Sequence, residues 1–330
     1  LGDVYKRQLK YTYKMSNEEK IINYFIKNYK NIGDDCAYLS QTKQLISSDT
    51  LVENIHFDLK YFTPKNIAHR LFTANYSDIQ SSGGKPKYVL LNLSFPNKNF
   101  KFVNQIINNF HRYCLKYKIE IIGGDTTASD KIFLSLTIIS DVINKNEIIK
   151  RSNAKINDKV YTFSGIGYSK LGYMNIYNNL KLPKNISEFS KEQFLSPKIF
   201  TYYDLFKKFK LNSCMDISDS LLTTLRSISS QSNKKIVLDN LLNINKKLHD
   251  YSKNDQHYNS LILSSGEEFV PVFSSPMDLL KFNDKGSFKK RGIKIICIGH
   301  IEKGQGVYLK NFNLNKVKTF DHFKSNYSSL

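Results

Sequence analysis

The chain has 330 residues and a mass of 38.3 kDa, with 41% hydrophobic content, enough for roughly two ordinary domains and against global disorder. Its 49 Lys and Arg against 29 Asp and Glu give a net charge of +20, but Lys is spread almost evenly among abundant Asn and Ile. A nucleic-acid surface would gather that charge in a stripe with aromatics, so nucleic acid is not an expected partner, and no apolar run approaches the roughly 18 residues of a membrane span.

In chain order, residues 1–14 show no amphipathic period and read as a leader or processing scar before Met15. Ser16 can cap a helix whose apolar face is Ile22, Phe25, Ile26 and Tyr29. Short strands are expected near 36–39, 44–48 and 54–58, then a helix from Pro64 to Ser81. A strand over 87–95, a helix over 100–118 and strands over 119–122 and 132–141 complete a first unit, taken as 15–148. A second unit, 149–330, opens near Arg151 with a strand over 159–164. Helices are expected near 168–178, 198–210, 219–231 and 276–290, with strands near 235–238, 261–264, 268–273 and 293–298. The alternation of elements predicts an α/β or α+β fold. The run G-I-G-Y-S-K-L-G at Gly165–Gly172 has the wrong spacing for a dinucleotide fingerprint. No segment marks a secretory signal, so the chain reads as soluble and cytoplasmic, with Cys36, Cys114, Cys214 and Cys297 reduced and space-filling.

Seven aspartates fall in five short clusters padded with small residues: I-G-D-D-C-A (Asp34, Asp35), S-S-D-T (Asp49), N-Y-S-D-I (Asp78), G-G-D-T-T (Asp125) and M-D-I-S-D-S (Asp216, Asp219). Any one of them is an ordinary turn. Together they offer oxygen-only ligands of the kind that join Mg²⁺ to substrate phosphates. Many carboxylates with few bases nearby imply several Mg²⁺ ions rather than a lysine clamp. The chain lacks a G-x-x-x-x-G-K-[ST] loop and the H-R-D and D-F-G motifs, which excludes P-loop enzymes and protein kinases.

These clusters, with K-R-S-N-A-K, L-S-S-G-E-E-F and a C-terminal F-D-H-F, occur in the order and rough spacing of thiamine-monophosphate kinase, which the chain resembles from about Asn17 to Phe323. The resemblance implies the two-domain fold shared with aminoimidazole ribonucleotide synthetase and selenophosphate synthetase. It implies a homodimer whose N-terminal domains share a barrel. The implied reaction moves the γ-phosphoryl of ATP to thiamine monophosphate, giving thiamine diphosphate. Carried over residue by residue, Asp35, Ser47, Asp49, Asp78, Asp216 and Asp219 resemble the Mg²⁺ ligands, with Asp34 and Ser48 adjoining them. Gly124, Asp125, Arg151 and Ser218 match ATP-binding positions. His56 and Glu267 match acceptor contacts, and Phe320 matches an aromatic that packs on thiamine.

The chain departs from the family pattern at Ser220 for Gly in S-D-G and at Ser265 in G-G-E-D-Y-E, where it reads S-G-E-E-F-V. It also has Ser81-Ser82-Gly83 for A-M-G and Ile156-Asn157-Asp158 for P-G-D. Ser220 and Ser265 would conflict with a backbone needing positive φ. Two alternatives stand beside the kinase: another ATP-dependent synthase of the superfamily, and a basic nucleic-acid-binding protein on a degenerate enzyme fold.

Overall fold

Helix α1 (Asn17–Ile26) carries the expected apolar face, yet Ile22, Phe25 and Ile26 are exposed. The computed structural model describes residues 17–29, 32–142, 148–239, 241–284 and 286–319. The leader over 1–14, the Ser16 cap and Phe320 lie outside these residues.

Six strands of the first half form one sheet: β1 (Ala37–Leu39), β2 (Gln44–Val52), β3 (Lys85–Phe95), β4 (Glu120–Gly123), β5 (Thr126–Ala128) and β6 (Phe133–Asp141). Their order is β1-β2-β6-β3-β4, with β5 also on β3. The two partners β4 and β5 run parallel to β3 and the remaining pairs are antiparallel. Alternation along β6 sends Leu134, Leu136 and Ile138 into the core and leaves Ser135, Thr137 and Ile139 on the other face. The strand expected over 54–58 is instead a turn, bridged only at Glu53 and Phe57.

Helix α2 (Pro64–Ser81) covers the buried face and α3 (Phe100–Tyr117) packs beside it. Thr63 and Asn66 form a reciprocal capping box and Pro64 opens the first turn. An ordinary surface helix buries one stripe; 13 of the 18 residues of α2 are buried. The cause is a second layer on its far side. Asn66 reaches Ser196 at 2.8 Å, His69 the Pro197 carbonyl at 2.5 Å, and Gln80 the Phe200 carbonyl at 2.7 Å.

The second sheet contains β7 (Lys159–Phe163), β8 (Ser213–Asp216), β9 (Lys235–Leu238), β10 (Pro271–Ser275), β11 (Ile295–Glu302) and β12 (Gly306–Leu309), in the order β12-β9-β11-β7-β10-β8. The β12–β9 pair is parallel and the others antiparallel. The helices of this half are α4 (Tyr168–Tyr177), α5 (Lys184–Leu195), α6 (Tyr203–Phe206), α7 (Leu221–Ser232), α8 (Lys246–Tyr251), α9 (Asp255–Leu263) and α10 (Gly286–Arg291). Tyr173 of α4 and Phe194 of α5 pack into the core beneath the first sheet, which joins the two halves.

Several expectations change here. The helix over 198–210 shrinks to the single turn α6, and α5 stands where none was expected. The strand over 261–264 is the end of α9, because Leu261, Ile262 and Leu263 are buried on every side and a short apolar run carries no period. The helix over 276–290 is replaced by a short 3-10 turn and α10. Among the described residues, no helix is long and apolar enough to cross a membrane.

Candidate active site

Carboxylate oxygens of Asp35, Asp78 and Asp216 all lie within 4.8 Å of one another. Three separate elements deliver them: the loop before β1, the C-terminal half of α2, and the end of β8. Serine hydroxyls hold each one. Ser81 donates to Asp35 at 3.0 Å, Ser47 to Asp78 at 2.6 Å and Ser77 to Asp216 at 2.5 Å. Ser47 and Asp49 sit two apart on β2 and share the face toward α2. Asn75 accepts the Asp49 amide at 3.3 Å.

Packing three acids together away from water is unfavourable unless a cation or a proton intervenes. Burial raises the Asp35 carboxyl above its ordinary range, with Arg151 pulling the other way. Burial, then Asp49, Asp216 and Asp35, push Asp78 well up, and burial with Asp35 pushes Asp216 to about 8. Hard oxygen donors, fixed by hydroxyls and outnumbering the one nearby guanidinium, fit a divalent cation of the Mg²⁺ type.

Arg151 lies against the D-D pair. Its guanidinium bonds to Asp35, approaches Asp34 at 3.5 Å and donates to Ser227 at 3.1 Å. Asp34 also accepts the Arg151 amide at 3.2 Å. No Arg neighbours these acids in sequence; folding supplies one from 116 residues away.

A cavity of about 270 Å³ opens beside the cluster. Asp49, Asp78, Asp216, Ser218 and Asp219 line one part, and His56, Arg70, Lys170 and Glu267 another. His56 Nδ1 accepts the Val52 amide at 3.0 Å, which places the proton of a neutral ring on Nε2. Glu267 pairs with buried Arg70 at 2.5 Å. Arg70 also donates to the carbonyls of His56 at 2.9 Å and Phe194 at 2.5 Å, and sits between the rings of Phe62 and Phe194, 4.6 and 4.8 Å from their centres.

Not every expected residue joins this group. Ser48 faces the opposite side of β2, where its hydroxyl meets Thr137 at 3.1 Å. Alternation along the strand carries that signal in the sequence, since Ser47 and Ser48 cannot share a face. Gly124 and Asp125 lie at the edge of the first sheet, against Leu91 and Leu93, outside the cavity lining. A Cβ on Gly124 would stand 1.8 Å from the Leu91 carbonyl oxygen, so only Gly fits. Arg70, Ser77 and Ser81 were missed, although their spacing of seven and then four is that of one helix face.

The departures are accommodated by local chemistry. Ser220 has φ −171°, extended backbone open to any residue, and caps α7 by accepting the Thr223 amide at 3.0 Å. Asn157 takes φ 71°, a conformation that Asn tolerates. In the S-G-E-E-F segment, positive φ falls on Glu267 (54°) and Phe269 (49°) rather than on Ser265. Such backbone costs about 1–3 kcal/mol per residue and persists only where its surroundings impose it. Here the Glu267 amide donates to the Ser218 carbonyl at 2.5 Å and Phe269 to Ile217 at 2.9 Å. Gly266 lies so close that a Cβ would meet the Asp219 carbonyl oxygen at 2.0 Å. The strained segment is thereby fastened to the loop carrying Ser218 and Asp219. Glu268 turns inward instead. It accepts the Gly167 amide at 2.7 Å and the Ser265 hydroxyl at 2.5 Å at the start of α4, and burial pushes it to about 7.

The chain is similar to known proteins along most of its length. Residues 33–142 match the family model "AIR synthase related protein, N-terminal domain". The chain is 32% identical over 326 residues to the thiamine-monophosphate kinase of Buchnera aphidicola subsp. Schizaphis graminum, covering 93% of this chain and 99% of that protein. It is 33% identical over 295 residues to the thiamine-monophosphate kinase of Leptospira interrogans, covering 88% and 90%. A solved structure described as AaThiL complexed with AMPPCP and TMP shares the fold, with a TM-score of 0.76 at 24% identity, over 94% of this chain and 100% of that one.

Proposed function

This chain belongs to the thiamine-monophosphate kinase family, and we propose that it transfers the γ-phosphoryl group of ATP to the phosphate of thiamine monophosphate, giving thiamine diphosphate and ADP. The observation that carries the reading is the convergence of Asp35, Asp78 and Asp216 beside a cavity that also holds His56 and Glu267. Asp35, Asp78 and Asp216, with Asp49, Asp219 and Ser47 beside them, are the residues that would hold Mg²⁺, whose charge offsets the repulsion of two phosphates when bound.

The nucleophile is an oxygen of the acceptor phosphate, whose second pKa near 6 leaves it largely deprotonated at neutral pH. A general base is therefore unnecessary. That oxygen forms a bond to the γ-phosphorus as the bond to the bridging oxygen of ADP breaks, and ADP leaves with the electron pair. The chain's task is alignment. In this reading Ser218, Arg151, Gly124 and Asp125 take the nucleotide, and His56, Glu267 and Phe320 take the thiamine part. The division near residue 148 and a cytoplasmic setting belong to the same reading. A coupled assay with thiamine monophosphate, ATP and Mg²⁺ is expected to give thiamine diphosphate. ATP consumption without that product would move the chain to another acceptor, and no ATP use would end the kinase reading.

The same reading makes the chain a homodimer through the open face of the first sheet, closing a shared barrel. What supports it is the rows Ile46–Ile139–Tyr88 and Val52–Phe133–Ser94, none of whose residues is buried in the single chain. A sheet with both faces partly apolar calls for a second cover. Light scattering of active protein at micromolar concentration is expected to give twice the chain mass, and an active monomer would count against it.

A further inference from the structure

The cavity has one permanent cation with no carboxylate at ion-pair distance among the described residues. Lys170 is the third residue of α4, in the first turn, where the helix dipole disfavours positive charge. It is partly buried, lines the cavity, and places its ammonium 4.9 Å from the centre of the Tyr173 ring. Burial pulls that ammonium below its ordinary range while Glu267 pulls it back. Among the described residues, no carboxylate lies within ion-pair distance of it. The other permanent cation of the lining, Arg70, is bound by Glu267 and by two carbonyls.

Desolvation and the dipole both oppose a lysine here, and the Tyr173 face offsets part of that cost without neutralising the charge. An anion arriving in the cavity supplies the counter-charge. The cavity's other ionisable groups include five acids, four of them beside the proposed Mg²⁺ position, so an anionic group entering beside Glu267 gains from a cation of the protein's own. The thiazolium of thiamine would be repelled by an ammonium, which leaves its phosphate as the fitting group. We propose that Lys170 binds the phosphate of the acceptor and sets the preference for phosphorylated over unphosphorylated thiamine. The proposal rests on the kinase reading above and deepens it.

The test measures equilibrium binding of thiamine monophosphate and of thiamine to the full chain and to Lys170→Met and Lys170→Arg, with melting temperature and KM for both substrates. Lys170→Met is expected to weaken thiamine monophosphate at least ~10-fold, the scale of a lost hydrogen bond to a charged group. Thiamine binding and KM for ATP should stay nearly constant, and Lys170→Arg should recover most of the loss. The melting temperature of Lys170→Met should hold or rise, since the variant removes a desolvated charge; a merely structural lysine would lower it. Unchanged preference for the phosphorylated ligand, or a parallel loss of both ligands, would overturn the role of Lys170 while leaving the kinase reading in place. Failure of the unaltered protein to bind either ligand would overturn the kinase reading and the proposal with it.

Discussion

Asp78→Asn and Asp216→Asn are each expected to lower turnover at least ~100-fold, the scale of removing one electrostatic contributor to a charged transition state. The same variants should melt no lower than the unaltered protein when metal-free. The reason is the geometry of three acids within 4.8 Å, Asp216 buried and Asp35 and Asp78 partly so, which raises the cost of ionising any one of them. An amide in place of a carboxylate removes that repulsion and keeps a hydrogen-bond acceptor for Ser47 or Ser77. Function at this cluster thus works against stability, as is common where activity needs a strained or charged site. Mg²⁺ should raise the melting temperature of the unaltered protein and raise that of the variants less. Near-normal turnover in both variants would remove these residues from the metal site, and a large fall in metal-free melting temperature would make them structural.

The second large effect is expected at Arg70. Arg70→Ala should cost about 3–5 kcal/mol, the scale of breaking a buried ion pair. In a chain of this size that lowers the melting temperature by roughly 4–7 °C. The substitution strips Glu267 of its partner, leaves the carbonyls of His56 and Phe194 without their donor, and empties the space between Phe62 and Phe194. Glu267→Gln should cost far less, because the amide oxygen still accepts from Arg70 and Glu267 is partly exposed. Thermal melts of the two variants side by side check this. Equal small losses would mean that Arg70 is not the post on which the 264–270 segment hangs.

The order of the aspartate clusters was legible from the chain alone, because each sits in a short run of small residues that few other segments provide. So were the start of α2 at Pro64 and the strand at β6, since proline suits a helix's first turn and an apolar strand is a local pattern. The buried end of α9 was not legible, although the strand at β9 and most of β7 were. Leu261–Leu263 sits in a core that surrounds it, and an apolar run covered on all sides carries no period to read. Arg70 and Lys170 look like any other cations in a chain of charge +20. Only the packing of α4 and α5 against α2 turns one into a buried pair for Glu267 and points the other at the cavity. Likewise the strain at Glu267 and Phe269 belongs to contacts with Ser218 and Ile217, about fifty residues earlier in the chain. Spacing along a chain sets what one element can present; how much water surrounds a charge, and which charge meets it, is decided by elements far apart in sequence.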